Sequence, residues 1–177
     1  MDFFELAAHR RSLRKFTDQK VTQDVIEKLL KTTLLAPSSK NTHSSRFMVI
    51  ENREALQAIA DMRDSGSAFV ADAPLAIIVA GDKDLTDLWV DNASISATFL
   101  QLAVEAAGLG SCWVHINGRP HCKTDASQGT AEDYLRSKLD IPENWGLLCA
   151  VAIGYSPYDS VKPHPETDDY EKIVFVK

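Results

Sequence analysis

Asp91-Asn-Ala-Ser-Ile-Ser-Ala-Thr-Phe-Leu-Gln-Leu-Ala-Val-Glu-Ala-Ala107 is the strongest helical pattern in the chain. Val90, Ala93, Ala97, Leu100, Val104 and Ala107 recur at three- and four-residue steps. Ile95, Phe99, Leu102 and Ala106 make a second apolar stripe. A helix apolar on nearly all sides belongs inside a fold, and its many Ala and Ser residues let neighbouring backbones approach closely. Gly108 follows at the place where a helix commonly stops.

The flanks of this helix read as strands. Downstream, Ser111 to Ile116 is a short strand and Leu148 to Ile153 a buried one, closed by Gly154-Tyr155. Between them lie an insertion-like stretch, Asn117 to Thr130, and a helix, Ala131 to Leu139, before Pro142. Upstream, Ala73 to Gly81 is the longest apolar run and suits a buried strand over Leu75 to Ala80. Glu54 to Met62 is helical, and Phe47 to Ile50 is a strand. Thr22 is placed to cap a helix carrying Val25, Ile26, Leu29, Leu30, Thr33 and Leu34 on one face, stopped by Pro37. Asp2 is placed to cap a first helix with Phe3, Leu6 and Ala7. The chain closes on a short apolar segment, Ile173 to Val176, a candidate fifth strand. Helices mixed with four or five strands, without repeat or linker, make an α+β layout with residues 1–177 as a single domain.

Composition narrows the function. Hydrophobic residues make up 45% and charged residues 25% of the 177, enough for a folded core. A net charge of −6 argues against nucleic acid or an anionic membrane as the main partner. No apolar run approaches the ~20 residues of a membrane span. Met1 to Phe16 is charged throughout, unlike a secretory leader. Three cysteines, Cys112, Cys122 and Cys149, have no disulfide-scaffold spacing, so the expectation is a reducing cytoplasm.

Against that acidic background, Arg10-Arg11-Ser12-Leu13-Arg14 is a local exception. Three guanidinium groups and a hydroxyl within five residues suit a phosphate. The cluster falls at the C-terminal end of the first helix, where the helix dipole repels anions, so side chains would have to do the binding. A solvated basic surface is the plain alternative. Ser38, Ser39 and Asn41 read equally as an ordinary loop, Trp113 as a core aromatic, and Lys162 as a solvated lysine. Cys112, His115, His121 and Cys122 have zinc-compatible chemistry. However, strand alternation sends Cys112 and His115 to opposite faces, and no metal site is expected.

Four motifs occur in one order: Arg10-Arg11-Ser12-Leu13-Arg14-Lys15-Phe16, Ala36-Pro37-Ser38-Ser39-Lys40-Asn41, Ala106-Ala107-Gly108-Leu109-Gly110-Ser111-Cys112-Trp113 and Ala152-Ile153-Gly154-Tyr155. Together they resemble the nitroreductase family of flavin enzymes in its short form. The resemblance implies an intertwined homodimer on a central, mostly antiparallel sheet surrounded by helices, with FMN at the dimer interface. It also implies ping-pong transfer of electrons from NADH or NADPH to nitroaromatics, quinones or related acceptors.

Carried over residue by residue, it places Arg10, Ser12 and Arg14 on the phosphate, ribityl chain and pyrimidine side of FMN, with Arg11 also near the phosphate. Pro37, Ser38, Ser39 and Asn41 would reach a flavin held mainly by the other protomer. Trp113, Val114 and His115 would run along the isoalloxazine near N5, where a backbone N–H serves. His115 is a candidate proton donor, and Lys162 a late cation for the phosphate. The chemistry rests on the cofactor, so no general base is expected.

Two departures stand out. The family's usual Gln-Pro-Trp after the Ser-Ser-x-Asn motif is replaced by Thr42-His43-Ser44-Ser45-Arg46-Phe47. The pyrimidine-edge cation or amide of longer members has no clear match around Asp61 to Phe69. A flavin-binding carrier, sensor or consumer of reduced flavin, without steady NAD(P)H turnover, therefore stands as the alternative function.

Overall fold

The computed structural model describes residues 2–160, 162, 164–165 and 169–176. The element order is α1 (Phe3–His9), α2 (Gln23–Thr33), β1 (Ser45–Ile50), α3 (Arg53–Asp61), β2 (Leu75–Asp82), α4 (Trp89–Ala106), β3 (Gly110–His115), α5 (Ala131–Arg136) and β4 (Trp145–Gly154). The four strands form one antiparallel sheet in the order β1-β2-β4-β3. This is the α+β architecture expected.

Burial explains the arrangement. All eight residues of β2 are buried, because helices cover both faces of the sheet. On one face, Leu56 and Ile59 of α3, Val70 of a short 3-10 turn and Leu135 of α5 pack on Ala76, Ile78, Ala150 and Ala152. On the other, Ile26 and Leu29 of α2 and Ala93, Ala97, Leu100 and Val104 of α4 pack on Ile77, Val79, Val151 and Ile153. Period-two alternation along the strands divides the apolar residues between these two cores.

The helix ends follow local chemistry. Asp2 and Glu5 form a reciprocal capping box on α1. Thr22 precedes α2 as expected, but its side chain makes no capping bond. The helix expected over 131–139 stops at Arg136, where Arg136 turns back to the carbonyls of Ile141 and Pro142. Ile173 to Val176 forms no strand. Its side chains are 51% to 94% exposed, and neither edge of the chain's own sheet pairs with it.

The stretch 117–130, expected as an insertion, is a hairpin closed by the Pro120–Thr130 bridge. It is fastened to the end of α3. The Lys123 N–H donates to Asp64 at 2.8 Å, and His121 stacks on Tyr134 with ring centroids 4.5 Å apart. No helix among the described residues is long and apolar enough to cross a membrane.

Candidate active site

The arginine cluster is held as a short extension of the sheet. After α1 ends, Ser12 bridges Ser111 in parallel, and the Leu13 N–H donates to the Ser111 carbonyl at 2.9 Å. Leu13 is buried against Gly110. A Cβ on Gly110 would sit 2.3 Å from Leu13 Cδ2 and 2.9 Å from Leu13 Cβ, so this docking requires glycine.

Extended backbone then splits the cluster. Arg10, Ser12 and Arg14 act on Cys112, whereas Arg11 and Leu13 line a separate cavity of about 250 Å³ with Glu105 and Gly110. Arg14 faces a cavity of about 430 Å³ shared with Phe16, Arg53 and Asp72. Arg11 is thus turned away from Arg14.

The later loop returns to the same place. The Arg11 guanidinium donates to the Lys162 carbonyl at 3.3 Å, and the His164 N–H donates to the Ala8 carbonyl at 2.9 Å. His164 Nε2 lies 3.0 Å from the Arg10 carbonyl. The two His164 contacts satisfy carbonyls that the end of α1 leaves open. Together with the Arg11 bond they bring the exposed Lys162 beside the cluster. Nothing in the sequence signalled His164.

Charges here remain partly uncompensated. Among the described residues Arg10 and Arg14 enter no salt bridge. Glu105 is the acid that interacts with Arg10, and Asp72 shares the Arg14 cavity. Burial pushes the Glu105 carboxyl above the usual carboxylate range, and Arg10 and His9 pull it partly back. Burial also raises the Cys112 thiol, against Arg14, Ser12 and Arg10, so it stays a thiol at neutral pH.

β3 is an edge strand, and its free side is set by register. The Ser111 carbonyl takes the Leu13 bond, and the His115 carbonyl takes one from Arg63 at 3.4 Å. In an antiparallel pair alternate residues turn their backbone polar groups the same way. The outward positions are therefore Ser111, Trp113 and His115. Val114 does not fit the expected place along a flavin. Its backbone faces β4, and its side chain is buried in the core on the opposite face from Trp113. Trp113 and His115 are half-buried on one face, their rings stacked at 6.1 Å with a 14° interplanar angle.

Three cationic groups given no role by the sequence stand nearby or support the site. Arg63, just past α3, and Arg119, from the hairpin, act on His115. Burial, Arg119 and Arg63, in that order, hold its imidazole below the usual histidine range. Arg46 pairs with Asp82 at 2.9 Å and also donates to the His43 carbonyl. None of the three falls in one of the four motifs, and only folding brings them into place.

The 37–43 loop is strained and tightly held. Lys40, Asn41 and His43 all have positive φ, at 48°, 56° and 46°. Each such residue costs of order 1–3 kcal/mol, and such strain persists only where surroundings fix it. Asn92 of α4 supplies the fixing. Only 1% exposed, it accepts from the Ser39 N–H at 2.8 Å and donates to the hydroxyls of Ser44 at 2.8 Å and Thr42 at 3.2 Å. The Ser38 hydroxyl accepts from the His43 N–H at 2.9 Å. Pro37 and Asn41 remain exposed, and Ser38 and Ser39 half-buried.

This loop and the arginine cluster do not meet within one chain. Ser45 is in register with Gly81 and Gly146, whereas Ser111 is in register with Ile153. The two groups lie at opposite edges of the sheet, roughly 14 Å apart across it and roughly 24 Å along it.

The nitroreductase family model matches residues 7–65 and 60–155. The chain belongs to the nitroreductase family. A similar curated relative, from Methanothermobacter thermautotrophicus, is 33% identical over 88% of this chain and 78% of its own length. Another, from Archaeoglobus fulgidus, is 32% identical over 92% and 86%. Both are named for NADH dehydrogenase/NAD(P)H nitroreductase activity. Among solved structures, an FMN-dependent nitroreductase from Clostridium difficile R20291 is 35% identical with a TM-score of 0.91, covering 99% of both chains. In this chain the Thr42–Phe47 stretch runs from the end of the strained loop into β1, with His43 its one positive-φ residue, and Arg63 and Arg119 both act on His115.

Proposed function

We propose that residues 1–177 form one domain of an FMN-dependent oxidoreductase. It takes electrons from NADH or NADPH and passes them to nitroaromatics, quinones or related acceptors by a ping-pong route. One observation carries this reading: Arg10, Ser12 and Arg14 stand together on the β3 edge, and neither guanidinium has a salt-bridge partner among the described residues. That donor set fits a phosphate-bearing cofactor, and a highly similar structure is that of an FMN-dependent enzyme.

Bound there, FMN would supply the hydride chemistry. Arg10 and Ser12, with Lys162, would hold the phosphate and ribityl end. Arg14 would place a fixed cation by the pyrimidine, which stabilises charge gained on reduction. The outward N–H groups of Trp113 and His115 are the donors available for N5. Arg63 is the cation available to fill the pyrimidine-edge contact that the sequence left open.

Pro37, Ser38, Ser39 and Asn41 would complete the site of a second copy. Their distance from the cluster in one chain supports a homodimer. Exposed Phe3, Phe4, Leu34, Leu35 and Phe175 supply apolar surface for it. Three free cysteines suit a reducing cytoplasm. The Thr42-His43-Ser44 sequence, in place of the Gln-Pro-Trp of the family pattern, favours the second reading, a flavin protein without steady NAD(P)H turnover.

The test is Arg10→Ala combined with Arg14→Ala. The expected product is folded, by circular dichroism, and colourless. Retention of stoichiometric flavin would refute the assigned cluster.

A further inference from the structure

His115 is tied down in an unusual way for an exposed strand edge. The Trp113 indole Nε1–H donates to His115 Nδ1 at 3.3 Å, between rings that already stack. An imidazole that accepts at Nδ1 is neutral and carries its proton on Nε2. The charged groups acting on it are Arg119 from the hairpin and Arg63 from the end of α3, and no carboxylate among the described residues joins them. Both guanidiniums oppose a second proton, as does partial burial. Indole, hairpin and α3 therefore favour one protonation state.

We propose that His115 is a fixed, neutral hydrogen-bond donor, through Nε2–H, to the oxygen of the electron acceptor. This rests on the flavin reading above. A hydride delivered to a quinone or nitro group leaves negative charge on an oxygen. A donor aimed there stabilises that charge, and neutral histidine does so without surrendering its proton. The electron pair comes from NADH or NADPH by way of the flavin, the product oxygen takes its proton from solvent, and His115 ends as it began. Arg63 and Arg119 add positive potential at the same point. The hairpin at 117–130 thereby acquires a role: it brings Arg119 to the end of β3.

The primary measurement is ¹H–¹⁵N NMR of histidine-labelled full-length protein. The expected result is a protonated Nε2, a bare Nδ1, and titration below the usual histidine range. Trp113→Phe removes the donor to the neutral form, and Arg119→Ala removes a repelling cation. Each is expected to move the titration upward, and Trp113→Phe to mix the tautomers. A proton on Nδ1 in the native protein, or an imidazolium at pH 7, overturns the proposal.

The second measurement is single-turnover reoxidation of the reduced protein by 1,4-benzoquinone. His115→Gln keeps an amide donor near the Nε2 position, and His115→Phe does not. At equal flavin content, His115→Phe is expected to be slower than His115→Gln by about a hundredfold, the low end for loss of one such donor. Equal rates overturn the proposal and leave the flavin reading standing. A native protein that binds no added FMN overturns both.

Discussion

Leu13 and Gly110 set the position of the whole arginine cluster. Leu13 is the one apolar residue among Arg10 to Arg14, and its burial fixes which arginines face which way. Gly110→Ala would put a methyl group against Leu13 Cβ, which cannot rotate away. The expected cost is about 1–3 kcal/mol of stability, the usual penalty for overpacking. Flavin affinity should fall with it, because the segment carrying Arg10, Ser12 and Arg14 must shift. Thermal unfolding and an FMN titration check both. Unchanged affinity would mean that the cluster does not depend on this contact. At this scale the sequence was informative where residues form motifs and silent elsewhere. The Arg-Arg-Ser motif was legible. Arg63, Arg119 and His164 were not, because each gains its meaning from a neighbour distant in sequence.

The 37–43 loop shows how one element carries another's strain. Its three left-handed residues are held chiefly by Asn92, a polar residue inside the most apolar helix of the chain. Asn92→Ala would leave the Ser39 N–H and the buried Ser44 hydroxyl without this partner. An unsatisfied buried polar group costs about 1–3 kcal/mol. The loop should then relax while the sheet stays intact. Hydrogen exchange should show faster exchange confined to 38–45; protection unchanged there would contradict the account.

The helices and strands themselves were legible because their apolar periods are strong. β2 and α4 appear nearly where the pattern puts them. Ile173 to Val176 misled for a physical reason: an apolar run specifies burial, but not by which surface. Asn92 was visible as a polar residue on an Ala-rich helix, yet its partners lie some fifty residues earlier.

For the whole molecule the sheet register is decisive. The arginine cluster and the 37–43 loop occupy opposite edges, so a site that uses both needs two chains. Mixing offers a direct check. One chain carries Arg10→Ala and Arg14→Ala; the other carries Ser39→Ala and Asn41→Ala. In the proposed dimer each homodimer would have two defective sites, whereas each heterodimer would have one intact site. Co-expression should restore flavin to heterodimers at one per dimer. No recovery in isolated heterodimers would mean that the sites are not shared.

The visible spectrum of the purified protein, recorded without oxygen before and after NADH or NADPH, is the most direct test of the flavin assignment. The expected result is a bound-flavin spectrum that bleaches on addition of one or both nucleotides and returns when a quinone is added. A bound flavin that neither nucleotide bleaches would contradict NAD(P)H turnover and leave the carrier reading. A protein that stays colourless even with added FMN would contradict the cofactor assignment itself.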